Sequence, residues 1–284
     1  MTQYLHPDLH LHSTASDGSD SPLELLEKVR KTGIDIFSLT DHDTYSGCSI
    51  IRDNLREGDP TFLGGIELSC FDEFGKYHII GYCYDLRKPS IREAAKVTHS
   101  ARLEKAMGRF RFLEDNFHFS FSQEEKDRLL QNENPGKLHF VELLIKKGYV
   151  KDKKSGFSLM GEYHGKERKL TPEEAIDAIL RSDGIPVLAH GIFEDGTGLL
   201  SEEDMARRVR RLKEFGLMGL ECWYSSYTPA QTELMLSLAE KNNLSVTAGS
   251  DYHGKNKPVP LGASGNPDPD IMKRFYRSVE FLMR

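Results

Sequence analysis

The chain has 284 residues, of which 38% are hydrophobic and 29% are charged. This length and apolar fraction are enough for one large domain, or for one domain that carries an inserted subdomain. The chain has a net charge of −6 and therefore lacks the excess of basic residues that is typical of proteins that bind duplex nucleic acid. We expect no such partner.

The sequence shows no membrane or export signal. It has no run of 18 apolar residues, and its first five residues lack the basic and apolar regions of a signal peptide. The four cysteines are scattered without a CxxC pair, which is typical of buried thiols in a reducing compartment. These features predict a cytoplasmic protein with no membrane partner.

Short β-like runs alternate with helical stretches along most of the chain. The first helix should begin at the capping box formed by Ser21 and Glu24 and end at Gly33, and a second capped helix should begin at Thr171. The predicted strands cover residues 7–12, 35–40, 61–69, 77–82, 185–189, 217–222 and 244–248. Repeated β-then-α units favour a parallel α/β barrel or sheet, in which the site lies at the C-terminal ends of the strands.

Residues 90–165 interrupt this alternation. The segment is rich in Lys, Arg and Glu, and its apolar residues recur at helical spacing at Leu103, Met107, Phe110 and Leu113. We interpret it as a helical insert that closes over the barrel as a substrate lid. The barrel domain would then comprise residues 1–89 and 166–284.

Two pairs of potential metal ligands lie near opposite ends of the chain. His10 and His12 are two residues apart, so on a strand both imidazoles lie on one face. Asp251 and His253 have the same spacing after the last predicted strand. Either pair alone is compatible with surface or hydrogen-bonded side chains, but a barrel makes its first and last strands neighbours. The two pairs can therefore share one site.

Further candidates follow the other predicted strands. Of the adjacent Asp41 and His42, we favour His42 as a ligand and Asp41 as a residue that orients a neighbouring imidazole. Asp17 lies in Ser16-Asp17-Gly18, which is equally typical of a turn. Glu67 ends an apolar run, where a carboxylate needs a cation or hydrogen bonds.

His78 and His190 complete the candidate set. Each lies on or directly after an apolar run, where a single histidine is more often a hydrogen-bonded core residue than a ligand. The joint occurrence of all these residues favours ligands.

The combined motifs resemble the PHP (polymerase and histidinol phosphatase) family. They are Asp8-Leu-His-Leu-His-Ser-Thr, Asp17-Gly, Thr40-Asp-His-Asp, Gly65-Ile-Glu-Leu, His78-Ile-Ile-Gly-Tyr, Ala189-His and Gly249-Ser-Asp-Tyr-His-Gly. They run through nearly the whole chain, and the insert is similar to that of stand-alone small phosphoesterases. The resemblance implies a distorted (β/α)7 barrel. Gly191 departs from the pattern, because many relatives have proline there.

The resemblance also implies two to three divalent ions, with manganese favoured and zinc or iron as alternatives. The mixed nitrogen and oxygen ligands fit these metals better than magnesium or calcium. The implied ligand sets are His10, His12, Glu67 and Asp251 for the first ion, Glu67, His78 and His190 for the second, and Asp17, His42 and His253 for the third. The expected reaction is attack of a metal-bridging hydroxide on a phosphate ester, with Glu67, Asp251 and His253 as catalytic candidates.

Substrate contacts are expected from the insert and from the last motif. Arg102 and Arg109 lie seven residues apart on a predicted helix, so both can grip a phosphate, although ordinary surface arginines fit the pattern equally well. His139 is similar to a family position in the lid, and Lys257 follows the last motif closely.

The expected substrate is small and doubly phosphorylated. Within the family branch, the resemblance implies a nucleoside 3′,5′-bisphosphate or 5-phosphoribosyl 1,2-cyclic phosphate. A 5′-to-3′ exoribonuclease acting on short RNA and a non-catalytic metal-dependent binding module are the alternatives.

Overall fold

A computed structural model describes residues 4–132, 135–165, 168–194 and 198–282. The strands are β1 (Pro7–Leu11), β2 (Ile36–Leu39), β3 (Thr61–Asp72), β4 (Gly75–Tyr82), β5 (Ile185–Leu188), β6 (Phe193–Glu194), β7 (Gly198–Leu199), β8 (Gly219–Tyr224) and β9 (Ser245–Gly249). The α-helices are α1 (Pro22–Thr32), α2 (Ser46–Asp53), α3 (Pro89–Phe117), α4 (Gln123–Leu130), α5 (Lys137–Lys146), α6 (Lys153–Gly161), α7 (Pro172–Leu180), α8 (Glu202–Glu214), α9 (Pro229–Lys241) and α10 (Pro269–Leu282).

Seven strands form a nearly closed barrel in the order β1-β2-β3-β4-β5-β8-β9. Backbone hydrogen bonds link the first and last segments: the Asp251 amide donates to the His10 carbonyl, and the His12 amide donates to the Tyr252 carbonyl, each at 2.9 Å. The predicted α/β fold class, a distorted barrel with additional helices, is confirmed.

Strand β4 is the main departure from a regular β-then-α barrel. It pairs antiparallel with both β3 and β5, whereas the other neighbouring strands of the barrel pair in parallel. A tight turn at Gly75 (φ 118°) joins β3 directly to β4 without a helix. Because β4 runs in the opposite direction, its first half lies at the same barrel end as the C-terminal ends of the other strands. This brings His78, near the start of β4, to the rim where the remaining candidates lie.

Local sequence signals position the helices. The Ser21 hydroxyl accepts a hydrogen bond from the Glu24 amide, the Glu24 carboxylate accepts one from the Ser21 amide, and Gly33 follows α1 at φ 75°, as predicted. Thr171 and Glu174 form the same capping box at α7. These caps satisfy amides that have no partner inside the helix.

Helix α10 covers the other end of the barrel. Its residues Met272, Phe275, Tyr276 and Val279 are buried in one cluster with Leu9 and other strand residues. Two of the strand residues in this cluster, Ile36 and Ile185, are the first residues of β2 and β5. The apolar core therefore fills the N-terminal end of the barrel and leaves the opposite rim for polar groups.

Helices α3 to α6 pack around a hydrophobic cluster of their own. It contains Ala106, Phe110, Leu113, Leu129, Phe140, Val141, Leu144 and Met160. Met107, predicted on the apolar face, is 42% exposed, and Ala106 is buried instead. The first turns of α3 contribute Ile91 and Ala94 to a barrel cluster, so this helix connects the two regions. The exact boundary of the insert remains a prediction.

Candidate metal centre

The side chains of His10 and His12 point to the same side of β1 and are fully buried. Their Nε2 atoms lie 3.1 Å apart. The residue between them, Leu11, is buried in an apolar cluster on the other side of the strand. The alternation of the strand therefore directs both imidazoles into one polar cavity at the barrel rim.

Glu67 lies at the middle of this cavity with no exposed surface. Its Oε2 atom lies 3.1 to 3.3 Å from ring nitrogens of His10, His12 and His42. Its Oε1 atom lies 2.9 Å from His78 Nδ1 and 3.1 Å from His190 Nε2. One buried carboxylate thus contacts five imidazoles, and each of its oxygens faces a different group.

Asp251 and Asp17 border the same cavity. Asp251 Oδ1 lies 3.3 Å from His12 Nε2 and 3.4 Å from His253 Nδ1. Asp17 Oδ1 lies 3.2 Å from His253 Nε2, and Asp17 Oδ2 lies 3.9 Å from His42 Nε2. The structure therefore brings all nine predicted ligands together, although they lie up to 243 residues apart in the chain, from His10 to His253.

The spacing of these atoms fits divalent ions. Two ligand atoms bound at about 2.1 Å to one ion lie about 3.0–3.4 Å apart, which matches the separations around Glu67. Three groups have donor atoms within 4.8 Å of one another: His12, Asp17, His42 and His253; His10, His12 and Glu67; and His42, Glu67 and His78. Glu67 Oε2 and His253 Nε2 are buried, and their contacts with ionisable neighbours at 3.1 to 3.3 Å lack hydrogen-bond geometry, so both are available as ligands.

The electrostatics also favour cation binding. Burial alone would raise the pKa of the Glu67 carboxyl, but His42, His78 and His10 hold it well below its usual value. For Asp251, burial is likewise outweighed by His10 and His12, and its pKa is well below the ordinary value. Both carboxylates are therefore anionic at neutral pH, as metal ligands must be.

A pocket of about 570 Å³ adjoins the metal-ligand candidates. Arg102, Arg109, His139 and Lys257, the predicted substrate contacts, all line it together with Asp17, His42, His78 and His253. Helices α3, α5 and α6 of the insert form one wall. The insert therefore faces the metal-ligand candidates across the pocket.

Comparison with known proteins decides the family. The PHP domain model matches residues 8–182, which is more than half of the chain. The chain belongs to the PHP family. Its similarity to curated proteins extends over most of its length, beyond the matched domain.

Three curated relatives of the PHP chain are enzymes that act on phosphate esters. A phosphoribosyl 1,2-cyclic phosphate 1,2-diphosphodiesterase from Eggerthella lenta is 29% identical, with 89% of this chain and 96% of the relative aligned. A 5′-3′ exoribonuclease from Haemophilus influenzae is 28% identical, with 87% and 89% aligned. A 3′,5′-nucleoside bisphosphate phosphatase from Chromobacterium violaceum is 27% identical, with 96% of each chain aligned.

A solved structure agrees with this assignment. A protein from Bifidobacterium adolescentis, described as a metal-dependent phosphoesterase, superimposes with a TM-score of 0.81, at 27% identity and with 96% of each chain covered. The predicted enzyme class, a metal-dependent phosphoesterase, is confirmed, and a non-catalytic module is not supported. The PHP chain has no helix, among its described residues, that is long and apolar enough to span a membrane.

Glu221 is the residue of the PHP centre that sequence reasoning did not select. It is fully buried on β8, with Oε1 2.9 Å from His10 Nδ1, and its Oε2 accepts a hydrogen bond from the His190 amide at 2.8 Å. It thus holds two candidate ligands from different strands. The available signal was an acidic residue inside an otherwise apolar strand, which needs a buried partner.

Asp41 supports the centre less directly than predicted. Its carboxylate accepts hydrogen bonds from the Ser13 amide, the Ser13 hydroxyl and the Ser16 hydroxyl at 2.6 to 2.7 Å. The Ser16 hydroxyl lies 3.4 Å from His12 Nδ1. The Ser13 and Ser16 hydroxyls occupy the Asp41 carboxylate. Asp41 therefore orients the His12 imidazole only indirectly, through the Ser16 hydroxyl.

The predicted substrate contacts are held by other groups of the chain. Arg102 binds Asp43 through Nε at 2.6 Å and Ser69 through Nη2 at 3.1 Å. Arg109 is buried, with its guanidinium 5.6 Å from the centre of the Phe140 ring. Lys257 Nζ and the Tyr224 hydroxyl both donate to Asp251 Oδ2 at 2.7 Å. Substrate binding by these side chains remains a prediction.

Proposed function

We propose that this enzyme releases phosphate from small, doubly phosphorylated substrates at the barrel rim. Nucleoside 3′,5′-bisphosphates and 5-phosphoribosyl 1,2-cyclic phosphate are the two substrate classes that the names of the relatives suggest. The nine clustered histidines and carboxylates would bind two to three divalent ions. Manganese is the proposed metal, with zinc or iron as alternatives, because the ligands combine imidazole nitrogen and carboxylate oxygen.

The charge of the pocket carries this proposal. Two carboxylates line it, Asp17 and Asp43, against eight basic side chains: Lys76, Arg102, Lys105, Arg109, Lys137, Lys153, Lys169 and Lys257. The whole chain has a net charge of −6, so this concentration of positive charge is local. Such a cleft raises the local concentration of anions. With one phosphate at the metal centre, the surplus of basic over acidic side chains in the pocket would attract a second phosphate.

The chain's own residues would prepare the substrate. Bound ions would supply positive charge for the phosphoryl oxygens and activate a water molecule for attack. Glu67 and Asp251 hold the ligand cluster together, and Lys257 neutralises the outer oxygen of Asp251. Burial and the neighbouring His12 lower the pKa of His253, so a neutral imidazole is favoured there. This suits a metal ligand better than an acid that protonates the leaving group.

The experiment is phosphate release by metal-stripped protein reloaded with Mn²⁺, Zn²⁺ or Fe²⁺. The substrate panel contains adenosine 3′,5′-bisphosphate, 5-phosphoribosyl 1,2-cyclic phosphate and singly phosphorylated AMP. We expect metal-dependent turnover with kcat/KM at least about tenfold higher for a doubly phosphorylated substrate than for AMP, because the second phosphate gains at least one charge-assisted contact. Equal rates on all three substrates would contradict the proposed specificity.

One observation favours the exoribonuclease as a second candidate. Phe157 on α6 is 42% exposed and lines the pocket one helical turn from Lys153. An exposed aromatic ring beside basic side chains is typical of surfaces on which nucleic acid bases stack. A short RNA with a 5′-phosphate and a 3′ label tests this candidate, because shortening from the 5′ end faster than bisphosphate hydrolysis would make RNA the preferred substrate.

A further inference from the structure

Two arginines of helix α8, outside the candidate ligand set, contact one buried tyrosine. The guanidinium carbon of Arg208 lies 4.5 Å from the centre of the Tyr77 ring. Arg211 donates from Nη1 to the Tyr77 hydroxyl at 3.1 Å and from Nη2 to Asp72 at 2.6 Å. Tyr77 is only 3% exposed and directly precedes His78 in β4. Helix α8 thus holds the part of β4 that carries a candidate ligand.

Arg208 also holds the turn that carries His190. Its Nη1 donates to the carbonyl oxygen of Gly191 at 3.2 Å. This turn is tightly packed, because a Cβ atom added at Gly191 would lie 2.6 Å from Leu188 and 2.9 Å from Met205, another α8 residue. One buried guanidinium therefore contacts the residue before His78 and the residue after His190.

The β-ladder alone does not extend to His190. The last hydrogen bond from β5 to β4 is donated by the Ala189 amide to the His78 carbonyl at 3.0 Å. His190 follows with a φ of 30°, in the left-handed region that non-glycine residues adopt rarely. Beyond the ladder, this turn is held by the Glu221 carboxylate at the His190 amide and by Arg208 at Gly191. Such a conformation persists only where its surroundings impose it.

We infer that Arg208 is a positioning residue that holds His78 and His190 at the Glu67 Oε1 atom, and thereby sets the affinity of one ion. The inference rests on the proposed metal centre. An arginine suits this position because its planar guanidinium stacks on the Tyr77 ring while an edge N–H donates to the Gly191 carbonyl. A lysine ammonium cannot make both contacts in this geometry. His10, His12 and Asp251 lie on or directly after β1 and after β9, so loss of the guanidinium should act first on His78 and His190.

The test compares metal binding by wild type, Arg208→Met, Arg208→Lys and Arg210→Met. Arg210 is exposed on the same helix, so it is the matched control. Mn²⁺ is titrated into metal-stripped protein, and bound metal per chain is measured against free metal. The metal-induced rise in Tm is recorded separately from the Tm of the stripped protein. Lost support for ligands of this kind weakens metal affinity about 10- to 100-fold.

The expected result is a 10- to 100-fold weaker affinity for one equivalent in Arg208→Met and the same direction in Arg208→Lys, with the other equivalents and Arg210→Met unchanged. The kcat of Arg208→Lys should fall while KM stays within about twofold, because the substrate pocket is not lined by Arg208. Wild-type affinity for every equivalent in Arg208→Lys, or equal weakening of all equivalents, would overturn the inference. Wild-type protein that binds no Mn²⁺ would instead overturn the proposed function itself.

Discussion

Replacing Glu221 with glutamine tests how the centre is supported without removing a candidate ligand. The carboxylate lies between two groups that it holds at once: His10 Nδ1 is 2.9 Å from Oε1, and the His190 amide donates to Oε2 at 2.8 Å. Glutamine has one carbonyl oxygen and one NH₂ group. If its oxygen stays at His190, the NH₂ group faces His10 Nδ1, which must then accept a hydrogen bond. The proton moves to Nε2, the nitrogen that faces Glu67, and that nitrogen can no longer bind a metal.

The reversed amide is no better, because its NH₂ group then faces the His190 amide, and two donors oppose each other. Keeping the metal-binding tautomer of His10 therefore costs one hydrogen bond in either orientation, and a hydrogen bond to a charged group is worth about 1.5–3 kcal/mol. At 1.4 kcal/mol per tenfold, this equals about a 10- to 150-fold loss of metal affinity. We expect Glu221→Gln to show this loss in Mn²⁺ titrations, with a parallel loss of kcat at limiting metal.

The matched control is Glu233→Gln, an exposed glutamate of α9. It should bind metal as the wild type does. If Glu221→Gln also bound every equivalent with wild-type affinity while its Tm without metal stayed unchanged, the argument that this carboxylate fixes the His10 tautomer would be refuted.

Three further substitutions test separate parts of the account. Lys257→Met should lower kcat/KM on a bisphosphate about tenfold or more, because it removes the charge-assisted hydrogen bond that Lys257 donates to Asp251 at 2.7 Å. The control is Lys255→Met, at an exposed lysine two residues away, which should leave kcat/KM unchanged. Phe157→Ala should raise KM for adenosine 3′,5′-bisphosphate about fivefold or more, by loss of about 1–3 kcal/mol of base stacking, and leave KM for the base-free cyclic phosphate unchanged; equal effects on both would contradict stacking. Asp59→Asn should destabilise the fold by about 0.5–1 kcal/mol near pH 7, because it breaks a two-point ion pair with Arg30. That ion pair lowers the pKa of Asp59 from 3.8 to about 2. Its contribution to the free energy of unfolding is therefore complete above about pH 4 and is lost as the pH falls through 2. In urea unfolding from pH 2 to 7, the stabilities of wild type and Asp59→Asn should converge at low pH.

Local rules predicted the parts of the fold that local chemistry determines. The capping box at Ser21 and Glu24 needs only residues three positions apart, and it forms as expected. The shared direction of His10 and His12 follows from the alternation of side chains along a strand. Helix α10 also carries a local signal, because Met272, Phe275, Tyr276 and Val279 recur at helical spacing and are buried.

Tertiary pairing decided the features that the sequence did not indicate. The alternation of elements favoured a parallel barrel, and β4 departs from it because the hairpin at Gly75 joins β3 to β4 without a helix between them. Arg102, predicted to grip phosphate, also contacts Asp43 and Ser69 of the barrel from α3, and the sequence did not indicate these two partners. Spacing along one helix shows which residues share a face, but it does not show which side chains of another element meet them.

Glu221 and Arg208 show the same limit at the metal-ligand cluster. The acid in the apolar strand β8 indicates that a buried partner is needed but not which one, and one arginine among several in α8 carries no distinctive pattern in the sequence. Their roles follow from the partners they contact in the folded chain. Glu221 contacts His10, 211 residues away in sequence, and Arg208 contacts the turn after His190. The candidate ligands were predictable because they lie in short motifs that resemble those of the PHP family. The residues that support them lie in no such motif.

The most direct test counts the divalent ions bound per chain by elemental analysis of reloaded wild-type protein and of Glu67→Gln. Glu67 is the group that joins the five histidines, so the account predicts two to three ions in the wild type and at least one fewer in the variant. A wild-type protein that retains no ion after reloading, or a variant that retains as many ions as the wild type, would contradict the central claim.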